Sequence, residues 1–273
     1  MQRIGTSFHE TFTLNRSGVG CVLKYIEGAS SVEDLQSILN IEAKLGNNWA
    51  KAMPRYARAC GLLEFGSTDL TPFGVHVLAH DPSLALPATQ WLMHYHLCAL
   101  HGPGPRFWHD LILHLPQAPQ SFGKAEVEAE IVRSLKEASG TALKDNSIRS
   151  TATIFLGSYT KSDALGPLNL LHSAQEGYSL EAPEAPPLGA FAYALSHHWQ
   201  AQLGDKQTCD LDDLGKEGGL GSQFLMSEFS VNRLLRQLAR QQVLELWMAA
   251  PPYQVTRPPA PEHLLEGIYA ADG

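Results

Sequence analysis

The stretch NNWAKAMPRYARACGLLEFGSTDLTPFG (47–74) decides how the front of this chain is read. WAKAMPRYARACG has the length of a short helix, with Asn47 or Asn48 as its cap and Gly61 at its close. LLEF then reads as a strand, GSTD as a turn and LTPFG as the returning strand. Pro54 removes a backbone hydrogen bond inside the helix, so a kink is expected. Two shorter helices precede it. Val19, Val22, Leu23 and Ile26 share one face and end near Gly28. Val32, Leu35, Ile38 and Leu39 share another, behind Ser31 as N-cap with Asp34 three residues on. Three short helices followed by strand-turn-strand is the order of a winged helix-turn-helix.

The same order returns at the far end without a letter-by-letter repeat. AFAYALSHHWQAQ gives a helix, and CDLDDLGKEGG gives a second with Asp210 as cap. SVNRLLRQLARQQV gives a third, capped by Ser227 or Ser230, and VLELW and YQVTR flank a Pro-Pro turn as two strands. Between the ends, residues 73–101 read as helical, GPGP at 102–105 breaks the chain, and FWHDLILHL resumes. KAEVEAEIVRSLKEAS is amphipathic, with Val127, Ile131 and Leu135 on one face, and SIRSTATIFLGSY is a further helix. EGYSLEAPEAPP reads as a strand or linker followed by a loop. The expected fold is mainly α with small β wings: an N-terminal arm and winged-helix module (1–80), a central helical region (81–180) and a C-terminal winged-helix module (181–273).

Each third helix carries cations. Lys51, Arg55 and Arg58 fall at i, i+4 and i+7, with Lys44 and Asn48 ahead of them, and no acidic residue lies between 44 and 61. In the second copy Val231, Leu234, Leu235 and Leu238 form the apolar stripe. Arg233, Arg236, Gln237 and Arg240 take the other side, beside Asn232. Arginine suits guanine edges and phosphates, and Asn and Gln suit adenine edges. The alternative for each helix is a solvated face or a protein-docking surface.

The 273 residues carry a net charge of −8, which disfavours a purely electrostatic nucleic-acid coat and makes local charge decisive. At 44% hydrophobic and 18% charged, the chain is globular rather than disordered. Cys21, Cys60, Cys98 and Cys209 form no CxxC pair and read as buried reduced thiols, against a zinc ribbon or disulfide framework. No apolar run approaches the roughly 20 residues of a membrane span, and a cytoplasmic location is expected.

Twelve histidines include His76 and His80 at i, i+4, but Val77 stands where a zinc protease needs Glu. No metal site and no cofactor is expected. GGLGSQF (218–224) fits neither nucleotide-binding glycine pattern, and no GxSxG elbow occurs. His9 and Glu10 could serve as general acid and base. The plainer reading is a hydrogen-bonded pair that ties the N-terminal arm to its lobe. No residue is assigned as catalytic.

SFHETFTLNR (7–16) resembles the N-terminal signature F-x-x-H-E-T-F-x-x-R of the bacterial domain-of-unknown-function family 4007. LGNNWAKAMPRYARACGLLE (45–64), DLTPFG (69–74), DPSLALPATQWLMHYHL (81–97) and SIRSTATIFLGSYTKS (147–162), then GPLNLL, are similar to later blocks in the same order. The chain departs from the family at LGNNWA, where a Gly-x-Gly-x-Asn-Met turn is commoner, and in lacking a Trp in its first helix. The resemblance implies a place beside DNA sulfur-modification and phage-defence genes. The expected function is therefore a DNA-binding accessory or specificity protein of DNA phosphorothioation or phage defence. It would contact double-stranded DNA and protein partners of a modification complex, with a homodimer also open. The alternatives are a non-catalytic interaction scaffold of such a complex and, further off, a nuclease or sulfur-transfer component using His9 and Glu10.

Overall fold

The computed structural model describes the chain except residues 1–2, 45, 118–120, 140–143, 175, 183 and 271–273. It is mainly helical with small antiparallel sheets. Contacts divide it into two compact units, residues 1–180 and 181–273.

In the first unit α1 (Arg16–Tyr25), α2 (Val32–Ile41) and α3 (Asn47–Ala59) pack together. Asn15 caps α1 by accepting the Gly18 N–H, and Ser31 caps α2 by accepting that of Asp34. The N-cap of α3 is Gly46, which makes no side-chain cap bond, so neither Asn47 nor Asn48 has that role. Helix α3 runs uninterrupted past Pro54, which is buried with Met53, Tyr56 and Ala57. The expected strand-turn-strand after α3 is reduced to a single bridge between Leu63 and Leu70. The reason is Thr71, which caps the Gly74 N–H in front of Pro72 and starts α4 (Pro72–His80) where a return strand was expected.

The region read as helical over 73–101 forms two helices. Asp81 separates α4 from α5 (Pro87–Cys98), its carboxylate accepting the backbone N–H groups of Ala85 and Leu86. Helices α6 (Arg106–His114), α7 (Lys124–Ser139) and α8 (Asp145–Thr160) follow, and a hairpin of β1 (Leu171–Ala174) and β2 (Gly177–Leu180) closes the unit. Its core holds Trp108, Phe155 and Tyr159, with Trp108 Nε1 donating to the Tyr159 hydroxyl and His94 Nδ1 bonded to the same oxygen, each at 2.9 Å. Bonding these polar atoms to one another removes the cost of burying them unpaired.

The second unit opens with α9 (Leu188–His198), which continues as a π turn over Trp199–Leu203. Strand β3 (Thr208–Asp210) precedes α10 (Leu211–Gly215) and α11 (Leu220–Gln223). Ser227 then caps α12 (Glu228–Arg240), accepting the Ser230 N–H. Strands β4 (Leu246–Trp247) and β5 (Gln254–Thr256) follow, then α13 (Pro261–Leu264). The sheet order is β3-β5-β4, all antiparallel. Sequence alone missed β3, a three-residue strand with one buried side chain, because it is too short to show alternation. Val231, Leu234, Leu235 and Leu238 are buried, so α12 turns its opposite side outward.

Candidate nucleic-acid interface

Helix α3 spreads its cations along a gradient from water to core. Lys44, Asn48 and Lys51 are exposed. Arg55 is half-buried and its Nη1 lies 2.6 Å from Glu10 Oε1. Arg58 is 6% exposed. Its Nε donates to the Glu64 carbonyl at 3.1 Å and its Nη2 to the Ser67 carbonyl at 2.6 Å. Those carbonyls belong to the turn joining the bridged residues Leu63 and Leu70, so Arg58 holds that turn from beneath. The i, i+4, i+7 spacing set three cations at one azimuth, and the turn then covered the last of them. As a surface contact, Arg58 is removed by this burial.

The arm that supplies Glu10 is itself locked. Phe8 is buried edge-on against Tyr56 and Trp108. The Tyr56 hydroxyl donates to the Phe12 carbonyl at 2.8 Å. His9 is buried, with Nδ1 accepting the Thr11 N–H at 3.1 Å. Its proton therefore sits on Nε2, which donates to Thr151 Oγ1 at 3.2 Å, while that hydroxyl donates to the Ser147 carbonyl. Both ring nitrogens are thus occupied. Burial pulls the His9 pKa down to about 4, with Glu10 opposing the shift. Arg16 donates to the carbonyls of Leu84, Ser162 and Ala164. The 8–16 motif is accordingly a clamp that ties the arm to α3, α8 and the loops after α4 and α8. His9 is thus held as a neutral imidazole by Thr11 and Thr151 inside this clamp.

Helix α12 presents a different surface. Arg233, Arg236, Gln237 and Arg240 are all exposed. Among the described residues, none of the three arginines makes an ion pair. Arg233, Gln237 and Arg240, with Gln241 and Leu234, form one wall of a groove of about 530 Å³ whose other wall is Ala185, Pro186 and Leu188. Asn232 is only half-exposed, and its Oδ1 is buried without a partner. Phe229, one turn before Arg233, is 77% exposed. It lies at i, i+4, i+7 and i+11 with Arg233, Arg236 and Arg240. Sequence reading passed over Phe229 because the cap was left open between Ser227 and Ser230. Its phase, opposite to Val231, Leu234, Leu235 and Leu238, was the available signal.

Cys60 and Cys98 are buried, and burial pushes their thiol pKa values up. Cys209 is also buried and pushed up to about 12, and none of the four cysteines forms a disulfide. Among the described residues no three His, Cys, Asp or Glu side chains gather as a metal-binding group, and no helix is long and apolar enough to cross a membrane.

A family model described as "Protein of unknown function (DUF4007)" matches residues 7–269. No curated protein matches the sequence. A solved structure described as magnesium ion-bound SspB is similar, with a TM-score of 0.76 and 20% identity over 96% of this chain and 86% of that one. A second SspB structure has a TM-score of 0.76 and 19% identity over the same shares. At these identities the likeness is one of fold.

Proposed function

We propose a function from one premise: the chain belongs to the DUF4007 family of proteins of unknown function, whose model it matches over residues 7–269. It is a DNA-binding accessory protein of a bacterial DNA-modification or phage-defence system, as the HETF-type signature implies. The observation that carries this reading is the outer face of α12, where Arg233, Arg236, Gln237 and Arg240 stand exposed and the arginines have no described ion-pair partner. The helix–strand–helix–helix–helix–hairpin order that ends with α12 and its hairpin, with sheet order β3-β5-β4, supports a winged helix-turn-helix in which α12 is the recognition helix. In the first unit the corresponding helix has Arg58 buried and Arg55 paired, so duplex contact moves to α12. Lys44, Asn48 and Lys51 remain as a lesser cationic edge.

The test is fluorescence anisotropy of the whole protein on matched duplexes with and without phosphorothioate linkages, titrated with salt. Log affinity should fall linearly with log salt, at a slope of about −0.9 per phosphate neutralised. Replacing Arg233, Arg236 and Arg240 by Ala should weaken binding and flatten that slope by up to about 3. A difference between the two duplexes would tie the contact to sulfur modification. No binding at low salt would transfer the reading to a scaffold whose two units dock proteins, including a second copy of the chain.

A further inference from the structure

Phe229 sits where a soluble protein gains nothing from it. Its ring is 77% exposed, and α12 buries Val231, Leu234, Leu235 and Leu238 on the opposite side. Removing it from the fold would cost the core nothing. Along the helix it lines up with Arg233, Arg236 and Arg240 over eleven residues, roughly 16 Å at 1.5 Å per residue. One apolar ring therefore leads three cations on a single face. Glu228, one residue before Phe229, lies off that face by helical phase, about 100° around the helix. The backbone and side-chain carbons of Glu228 lie over Gly215, where a Cβ would come within 2.7 Å of Glu228 Cγ. Ser227 and Ser230 bond to each other at the cap.

A cationic face disfavours a purely apolar groove as its first partner and fits a polyanion that also offers small apolar groups. Duplex DNA offers both in the major groove: phosphates along the rims, and one methyl per thymine on its floor. The N-terminal residues of a recognition helix are the ones that reach base edges, while phosphate contacts carry no sequence information. Phe229 is the second residue of α12. We infer that Phe229 is a specificity-determining residue that contacts the 5-methyl group of thymine, while Arg233, Arg236 and Arg240 hold the helix on the duplex. This rests on the function proposed above and adds to it the base feature that is read.

The experiment separates the two claims. The whole protein is used to enrich duplexes from a randomised library, and the enriched duplex is then prepared with thymine or with uracil, which lacks only that methyl. The wild type should bind the thymine form roughly three- to fivefold more tightly, the size expected for burying one methyl. Phe229→Ala should bind both forms equally and keep the wild-type salt slope, while Phe229→Leu should retain the preference. Equal binding of both forms by the wild type, or a preference surviving in Phe229→Ala, overturns the inference and leaves duplex binding standing. Absence of binding to any duplex overturns the proposed function and this inference with it.

Discussion

Lys51 and Arg58 stand seven residues apart on α3, so they point the same way, yet one is exposed and the other buried. Helical phase gives direction and says nothing about what the chain later lays over that direction. Arg58 bonds two carbonyls of the 64–67 turn, and Arg58→Ala would leave both short of a donor. Each lost bond of a charged donor costs on the order of 1–3 kcal/mol. Urea unfolding of that variant should show a loss of this size, while the salt slope on DNA stays that of the wild type. The histidines give a second test at this scale. His9 and His109 are both held at about 4 by burial, against 6.5 for a free histidine. Between those values the unfolded chain takes up protons that the folded chain refuses, so stability is full above pH 6.5 and falls as pH drops toward 4. Urea midpoints should therefore decline from pH 7 to pH 4.5, and His9→Gln should decline less. A midpoint that does not change over this range would contradict the buried neutral imidazoles.

At the scale of elements, α3 is the third helix of its unit and α12 the fourth of its own, each 13 residues long, yet they meet opposite fates. Helix α3 is covered at its end by the turn that Arg58 pins and along its side by the arm that brings Glu10 to Arg55. The described contacts leave α12 one open face. Sequence weighted α3 more heavily because residues 44–61 contain no acid, but the acid that matters, Glu10, lies 45 residues away in the chain. The join between α3 and the turn that follows depends on two glycines. Gly61 has φ +76 and a Cβ there would come within 2.5 Å of the His96 ring. At Gly74 a Cβ would lie 2.0 Å from the Leu62 carbonyl oxygen. Gly74→Ala should destabilise the first unit by more than about 1 kcal/mol. Differential scanning calorimetry is the check, and a melting temperature equal to that of the wild type would show the turn to be more tolerant than its packing implies.

At the scale of the molecule, residues 1–180 and 181–273 each contain their own buried aromatics and their own small antiparallel hairpin. The second unit has Phe191, Trp199 and Phe224 inside and packs the apolar side of α12 against α9, α10, α11 and β4. A fragment of residues 181–273 should then unfold cooperatively in urea and keep the salt slope of duplex binding. A fragment that folds but does not bind would return the DNA contact to the first unit. The local periodicities of the sequence determined helices such as α1, α2, α7 and α12, the strands that flank Pro251 and Pro252, and the apolar stripe of α12, because amphipathic spacing depends only on near neighbours. The 7–16 stretch resembles the family's signature, a likeness of residue identities rather than of periodicity. Only the tertiary structure decided which cations remain available. Exposure depends on residues distant in the chain, such as Glu10 against Arg55 and the 64–67 carbonyls over Arg58, and no local pattern encodes what will come to cover a side chain.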